Sequence, residues 1–351
     1  MSALSGGVFA TDTADDYTDL RQLVDDIGRR SFDARIGTRR VPDQFDDELW
    51  GNLSDTGLTR LTSDPDLGAG PNELAVVLSG IARYAGAVPL AETDALAGWL
   101  GREAGLDLPD GPLTVAIAEH SGDGPVKAVD VPWARAAAAV LLAVRTPDGA
   151  RIGITSNPQV VDGHNAAGEP RGRVTVDLGA VTLASVDDAV LTELTLRGAW
   201  CRAVQIVGAL DTAAAMTVRH TAEREQFGRS LSKFQAVQHA LAGMAGEIER
   251  ARAAASLAVA AAADYGFAAP RTEFAITAAR VTAGRAVTAV TTSAHQLHGA
   301  IGVTAEHPLW SVTLRAQAWA DEFGTTAGYA RRLGRLALES ANPWDLVIGN
   351  V

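Results

Sequence analysis

Two strings in the C-terminal half of this sequence carry residue types that could hold a nucleotide. In the first, REQFGRSLSKFQAVQHALAGMA, Arg224 offers a planar, permanently charged fork suited to a pyrophosphate. Phe227 offers a flat apolar face, and Gly228 a backbone that can turn close to a ligand. The second string, AHQLHGAIGVTAEHPL, sets Gln296 at a helix end ahead of Gly299 and Gly302, so that a carboxamide and backbone amides could reach an adenine or a phosphate. Each has a plainer reading taken singly: Arg224 as a helix-end cation, Phe227 as core, the glycines as an ordinary helix C-terminus. His295 and His298, one helical turn apart, could suggest a metal, but no third ligand and no Cys stands at metal-site spacing. A satisfied structural role is expected for both, and no metal site.

The elements that must position these residues follow from hydrophobic period. Leu20, Leu23, Val24 and Ile27, then Leu49, Leu53 and Leu58, then Leu74, Val77, Leu78 and Ile81 recur at helical spacing, with Asn72 a candidate cap for a helix starting near Glu73. Between Leu113 and Val190 the pattern changes to short valine-rich runs, LTVAIAE, AVLLAV, RIGIT and RVTVDLGAVTLAS, separated by Gly, Pro and Asp. Five or six strands are expected there, with Trp133 in their core. From Asp187 to Leu338 long Ala- and Leu-rich helical stretches return, fitting an antiparallel bundle. The fold class predicted is α+β, mainly α: an N-terminal helical domain (1–110), a small middle β domain (111–187) and a C-terminal antiparallel four-helix bundle (188–351).

Composition bounds the function. A chain of 351 residues with 47% hydrophobic and 21% charged residues can bury one large core or several smaller ones. The formal charge of −12 disfavours nucleic acid and anionic membranes as partners. Arg315, Arg331, Arg332 and Arg335 form a modest basic cluster that reads as a bias toward helix C-termini. The lone cysteine, Cys201, excludes an internal disulfide and points to a reducing, cytoplasmic compartment. No apolar run reaches the length of a bilayer span, and no secretory leader is expected.

In this order, and after helices and a small sheet, the two motif strings resemble the acyl-CoA dehydrogenase family over most of the chain; FDDELWGNLSDTGLTRL and VPLAETDALAGWLGREAGL look like that family's helical domain. The resemblance implies FAD shared across a subunit interface, with Arg224, Gln226 and Phe227 facing the adenosine-pyrophosphate of a neighbour's cofactor, as would Gln296 and Gly299. Thr325, in a Gly-Thr pair near the C-terminus, joins the cofactor-binding set. An acyl-CoA substrate and an electron-transfer flavoprotein as electron acceptor are implied in the same way.

Family members remove the α-proton of the thioester with a Glu in one of two places, just before the Gly-Thr pair or early in the first bundle helix. Here those places are Phe323 and Gly198, so no catalytic carboxylate is expected in this chain. The middle domain also lacks the family's Thr-Glu-Pro run into Gly-Ser-Asp and its Gly-x-Lys-x-x-Ile-Thr strand, which contact the flavin ring. This double loss resembles the short subunits of heteromeric α2β2 acyl-CoA dehydrogenases of actinobacterial steroid side-chain catabolism, and implies a homologous base-bearing partner. Two alternatives stand beside it: a self-sufficient homo-oligomer with Glu193, Asp321 or Glu322 as displaced base, and a non-enzymatic scaffold or acyl-thioester binder.

Overall fold

The computed structural model describes residues 9, 16–38, 40–122 and 124–348. It is mainly helical with a small sheet region, as the hydrophobic periods predict. In chain order the helices are α1 (Thr18–Arg35), α2 (Asp47–Asp55), α3 (Pro71–Arg83) and α4 (Trp99–Glu103), then α5 (Asp188–Glu223), α6 (Gln235–Tyr265), α7 (Pro270–His298), α8 (Leu309–Trp319), α9 (Thr326–Glu339) and α10 (Pro343–Ile348). Strands β1 (Leu113–Glu119), β2 (Val126–Pro132), β3 (Ala139–Thr146), β4 (Gly149–Thr155), β5 (Gln159–Val161), β6 (Arg171–Val176) and β7 (Leu183–Val186) lie between α4 and α5, and the two-residue β8 (Glu225–Gln226) and β9 (Arg229–Ser230) follow α5. The chain divides into two compact units: Arg40–Gly70 with Ala87–Gly198, and the described parts of Met1–Arg39, Pro71–Gly86 and Ala199–Val351.

The strand-bearing unit builds two sheets. One has the order β1-β3-β4-β7, with β1 and β3 parallel and the other pairs antiparallel; the second is β2-β6-β5, all antiparallel. Val140, Leu142 and Val144 from one sheet and Val126, Val174 and Val176 from the other share a single buried cluster. Seven strands stand where five or six are expected. The extra one is β5, a three-residue edge strand whose residues are half-buried at most, so it offers too few inward positions for an alternation to be visible. Trp133 is buried, as the sequence predicts, and meets the Phe45 ring edge-on at 6.1 Å. A π-helical segment, Glu92–Gly98, leads into α4 and is tied down by Asp94. The Asp94 carboxylate accepts the Ser63 N–H at 2.7 Å, the Thr62 N–H at 3.0 Å and the Thr62 hydroxyl at 2.9 Å. Burial pushes the carboxyl pKa up, against those donors.

In the other unit, α1 and α3 bury Val24, Ile27, Leu74, Val77, Leu78 and Ile81, whereas Leu23 turns outward and is exposed. Helix α3 begins at Pro71, one residue before Asn72, because proline's fixed φ and absent N–H suit the first helical position; Asn72 is therefore inside the first turn rather than its cap. The 36-residue α5, the 31-residue α6 and the 29-residue α7 are alanine-rich, which lets backbones approach closely. One such approach is at Gly208, where an added Cβ would sit 2.1 Å from the Ser79 carbonyl oxygen of α3. Asp211 accepts from Arg252 of α6 at 3.2 Å and pairs with Arg83 of α3 at 3.4 Å, so one carboxylate links three helices. Arg315 is not a helix-end cation: it is buried in α8 and donates to the Ser311 carbonyl at 3.2 Å. Arg332 pairs with Glu273.

Gly208→Ala forces α3 and α5 apart against a rigid carbonyl, and a loss of about 1–3 kcal/mol is expected, read as a lowered urea midpoint with an unchanged slope.

Candidate functional site

The first motif forms the turn after α5. The Arg224 N–H donates to the His220 carbonyl at 2.9 Å, and the Leu231 N–H returns to the Arg224 carbonyl at 2.9 Å. Between them β8 and β9 pair Glu225 with Ser230 and Gln226 with Arg229, leaving Phe227 and Gly228 as a two-residue loop. Both have positive φ, 56° and 79°, the requirement of a type I′ hairpin turn, where Phe is an unusual first residue. The Phe227 side chain stands 91% exposed at the tip, its ring meeting that of Phe234 edge-to-face with centroids 6.3 Å apart. The returning strand is held by the Arg229 guanidinium, 4.1 Å from the centroid of the Phe234 ring. Arg224 and Gln226 are exposed too. Arg224 makes no side-chain hydrogen bond or ion pair among the described residues, and Gln226 bonds only the adjacent Glu225 carbonyl, at 2.8 Å.

The second motif ends α7. Gln296 is exposed on the last turn, and Gly299 follows the helix at φ 64°, with nothing within 4 Å of where a Cβ would stand. A 3-10 turn, Gly299–Val303, carries the chain on toward α8. Beneath it lie histidines. His298 is buried and its Nδ1 bonds the Ala294 carbonyl at 2.8 Å, so Nδ1 carries the proton and Nε2 is a bare acceptor, buried with no partner. His295 bonds the Thr313 hydroxyl through Nε2 at 2.8 Å, while its Nδ1 is buried and unmatched. The expectation of fully satisfied histidines thus holds for one nitrogen of each ring and fails for the other. Two histidines that the sequence reading passed over complete the cluster. The His220 ring stacks on His298 at 4.4 Å and 19°, and the His307 ring meets His298 at 4.7 Å. Burial lowers the pKa of all four, that of His298 to about 4. Among the described residues no group of three or more His, Cys, Asp or Glu side chains is disposed to hold a metal ion.

The segment expected to carry a base runs from Trp319 to Thr325. Its architect is Arg280 of α7, absent from the sequence reading. Fully buried, it donates to the carbonyls of Trp319 at 3.1 Å, Ala320 at 2.9 Å, Glu322 at 2.8 Å and Gly324 at 3.0 Å. Burial pulls its pKa down to about 10, so it stays charged at neutral pH. The Tyr329 hydroxyl donates to a further carbonyl of the turn, Phe323, at 2.7 Å. Phe323 itself is held at φ 54°, an unfavourable region for a residue with a Cβ, and the captured carbonyls on both sides fix it there. Thr325 caps α9, its hydroxyl accepting from the Gly328 N–H at 3.1 Å.

Two of the three carboxylates near the expected positions are already engaged. Glu322 accepts from Arg202 Nε at 2.7 Å, and the same guanidinium lies 5.7 Å from the Phe323 ring centroid. Glu193 accepts from Arg197 at 2.9 Å, and that guanidinium covers Trp99 at 4.3 Å. Asp321 is exposed, and Gly198 is buried within α5.

Residues 189–335 match the family model for the acyl-CoA dehydrogenase C-terminal domain. Over these residues the chain is similar to the acyl-CoA dehydrogenase family. Acyl-CoA dehydrogenase FadE27 of Mycobacterium tuberculosis is 27% identical to it, over 86% of this chain and 91% of that one. A chain of the ChsE4–ChsE5 complex from the same organism superposes with a TM-score of 0.81 at 25% identity, covering 93% of this chain and 98% of that one. A chain of the Tcur3481–Tcur3483 steroid ACAD gives 0.80 at 27% identity, covering 92% and 97%. No helix among the described residues is long and apolar enough to cross a membrane.

Replacing Arg280 by Met leaves four carbonyls without a buried donor. A loss of about 1.5–3 kcal/mol is expected, together with faster amide exchange confined to residues 319–325 while α6 is unchanged.

Proposed function

We propose that this chain is one subunit of a heteromeric FAD-dependent acyl-CoA dehydrogenase, supplying the nucleotide half of a partner's cofactor site and no proton-abstracting base of its own. The observation that carries the reading is a contrast. Arg224, Phe227, Gln296 and Gly299 are exposed and largely unengaged, while the base positions hold Gly198 and Phe323 and the neighbouring Glu193 and Glu322 are ion-paired to arginines. A charged fork, an uncovered aromatic face, a carboxamide and an open positive-φ glycine suit a flat, dianionic molecule arriving from outside the chain. That is the chemistry of an adenosine pyrophosphate. The flavin ring would rest on the partner, since the ring-contacting segments of the family are missing from residues 111–187 of this sequence.

In such an assembly Arg224 pairs with the pyrophosphate, Phe227 lies against the adenosine, and Gln296 with the Gly299 turn offers hydrogen bonds to the same end. When bound, FAD accepts the β-hydrogen of the acyl thioester as hydride, and an electron-transfer flavoprotein then removes the electrons. Taking the α-proton falls to a carboxylate of the homologous partner. The likeness to the ChsE4–ChsE5 complex and to the Tcur3481–Tcur3483 steroid ACAD supports a mixed α2β2 assembly and a steroid side-chain thioester as substrate. The single cysteine, Cys201, is buried, in keeping with a cytoplasmic setting.

Co-expression with the homologous base-bearing subunit should give a yellow complex with one FAD per two chains, active on an acyl-CoA, whereas the chain alone stays colourless and inactive. Arg224→Ala should weaken FAD retention by the complex about 10- to 100-fold. The chain alone, yellow with stoichiometric FAD and oxidising an acyl-CoA, overturns the reading in favour of a displaced base, and alanine at Glu193, Asp321 and Glu322 then identifies it. Unchanged FAD content in the Arg224→Ala complex points instead to a scaffold.

A further inference from the structure

The two motifs read here as nucleotide-facing are far apart in sequence, yet each adjoins or contains a histidine of the same cluster. His220 presents the carbonyl that receives the Arg224 N–H, the last i→i−4 bond of α5, from which the hairpin departs. His298 is the residue immediately before Gly299. Their rings stack face to face at 4.4 Å, and His307, two residues before α8, closes the third side with centroids 4.7 Å from His298 and 6.3 Å from His220. Gly302 folds over the far side so closely that a Cβ there would lie 2.9 Å from the Cβ of His298 and 3.3 Å from Nδ1 of His295. The ring contact therefore joins the end of α5 to the end of α7, with tight packing on the α7 side.

We propose that the His220–His298–His307 cluster positions the Arg224 hairpin and the Gly299 turn relative to one another, so that both can serve one nucleotide, and that protonation of the cluster releases them. This rests on the nucleotide reading given above. The three are positioning residues, acting on the cofactor through the backbone of the neighbouring residues.

Their chemistry sets the direction of the response. With Nδ1 of His298 committed to the Ala294 carbonyl, a second proton must go to the buried Nε2, which has no acceptor to receive its N–H. Arg219 and Arg224 of α5 add positive charge around the cluster, Glu223 offers the one opposing charge from the same helix, and His295 of α7 flanks it. A histidine that resists protonation when folded but titrates normally when unfolded withdraws stability as pH falls below the unfolded value of 6.5, down to the folded value, about 4 for His298. The stack is complete at neutral pH and strained below about 6.

Amide hydrogen exchange on the full chain, expressed as protection over the intrinsic rate, reads the positioning directly at Arg224, whose N–H makes the last bond of α5, and at Leu231, whose N–H closes the hairpin. In the wild type, protection should fall about tenfold between pH 7 and pH 5, the effect of one unit of differential protonation, while the α6 amides hold. His220→Phe keeps a flat ring on His298 but cannot be charged, so protection at pH 7 is retained and the fall at pH 5 shrinks. His220→Ala loses protection already at pH 7. Equal protection in His220→Ala and wild type overturns the proposal, as does a pH 5 loss that His220→Phe shares in full or that spreads through α6. FAD retention by the co-expressed complex separates the two readings. Exchange altered as expected with FAD retention untouched upholds the positioning and removes its nucleotide role, whereas unaltered exchange removes the positioning whatever FAD does.

Discussion

Close backbone approach between helices that carry little side-chain bulk is the constraint on which the helical unit depends. At Gly208 the backbone of α5 comes near enough to the Ser79 carbonyl that a single methyl cannot be inserted, and alanines at 251, 255, 258, 275, 279, 283 and 286 are all buried. Interiors packed at crystal-like density transmit displacement rather than absorb it. The ends of α5 and α7 are where that rigidity is used, because the turns that follow them inherit their positions. Asp211, shared between α3 and α6, adds a polar tie to the same helices.

The second organising force is charge placed among backbone dipoles. Arg280 is the lone cation in the buried stripe of α7, and it is matched by neutral carbonyls rather than by a carboxylate. A guanidinium presents five donors in a fixed plane, so it can gather an irregular turn that no regular hydrogen-bond ladder would hold. What it gathers is the turn that leads into α9, kept in order around Phe323, a side chain with no proton to exchange.

Much of this was legible beforehand. Long alanine- and leucine-rich periods gave α5, α6 and α7, and the valine runs gave β1, β3, β4 and β6, because burial on one face imposes a period that survives in sequence. The motif residues Arg224, Phe227, Gln296 and Gly299 were singled out by residue type, and all four are exposed. What could not be read were relations between distant residues. Arg280 looks like any helix arginine until the carbonyls of residues 319–324 fold around it, and His220 and His307 gain meaning only through rings brought together by the ends of separate helices. The I′ turn at Phe227 and Gly228 also departs from the Asn-Gly or Asp-Gly pair that would have announced it. The three-residue β5 was hidden by its shortness and exposure.

The tip of that turn has one more implication. Holding phenylalanine in the left-handed region costs roughly 1–2 kcal/mol, and the β8–β9 pair with the Arg229–Phe234 contact bears that cost as the chain folds. Whatever flat surface comes to lie on Phe227 meets a backbone already set in place. The backbone share of the conformational entropy is spent before contact, which leaves more of the buried area at this one side chain to count toward affinity.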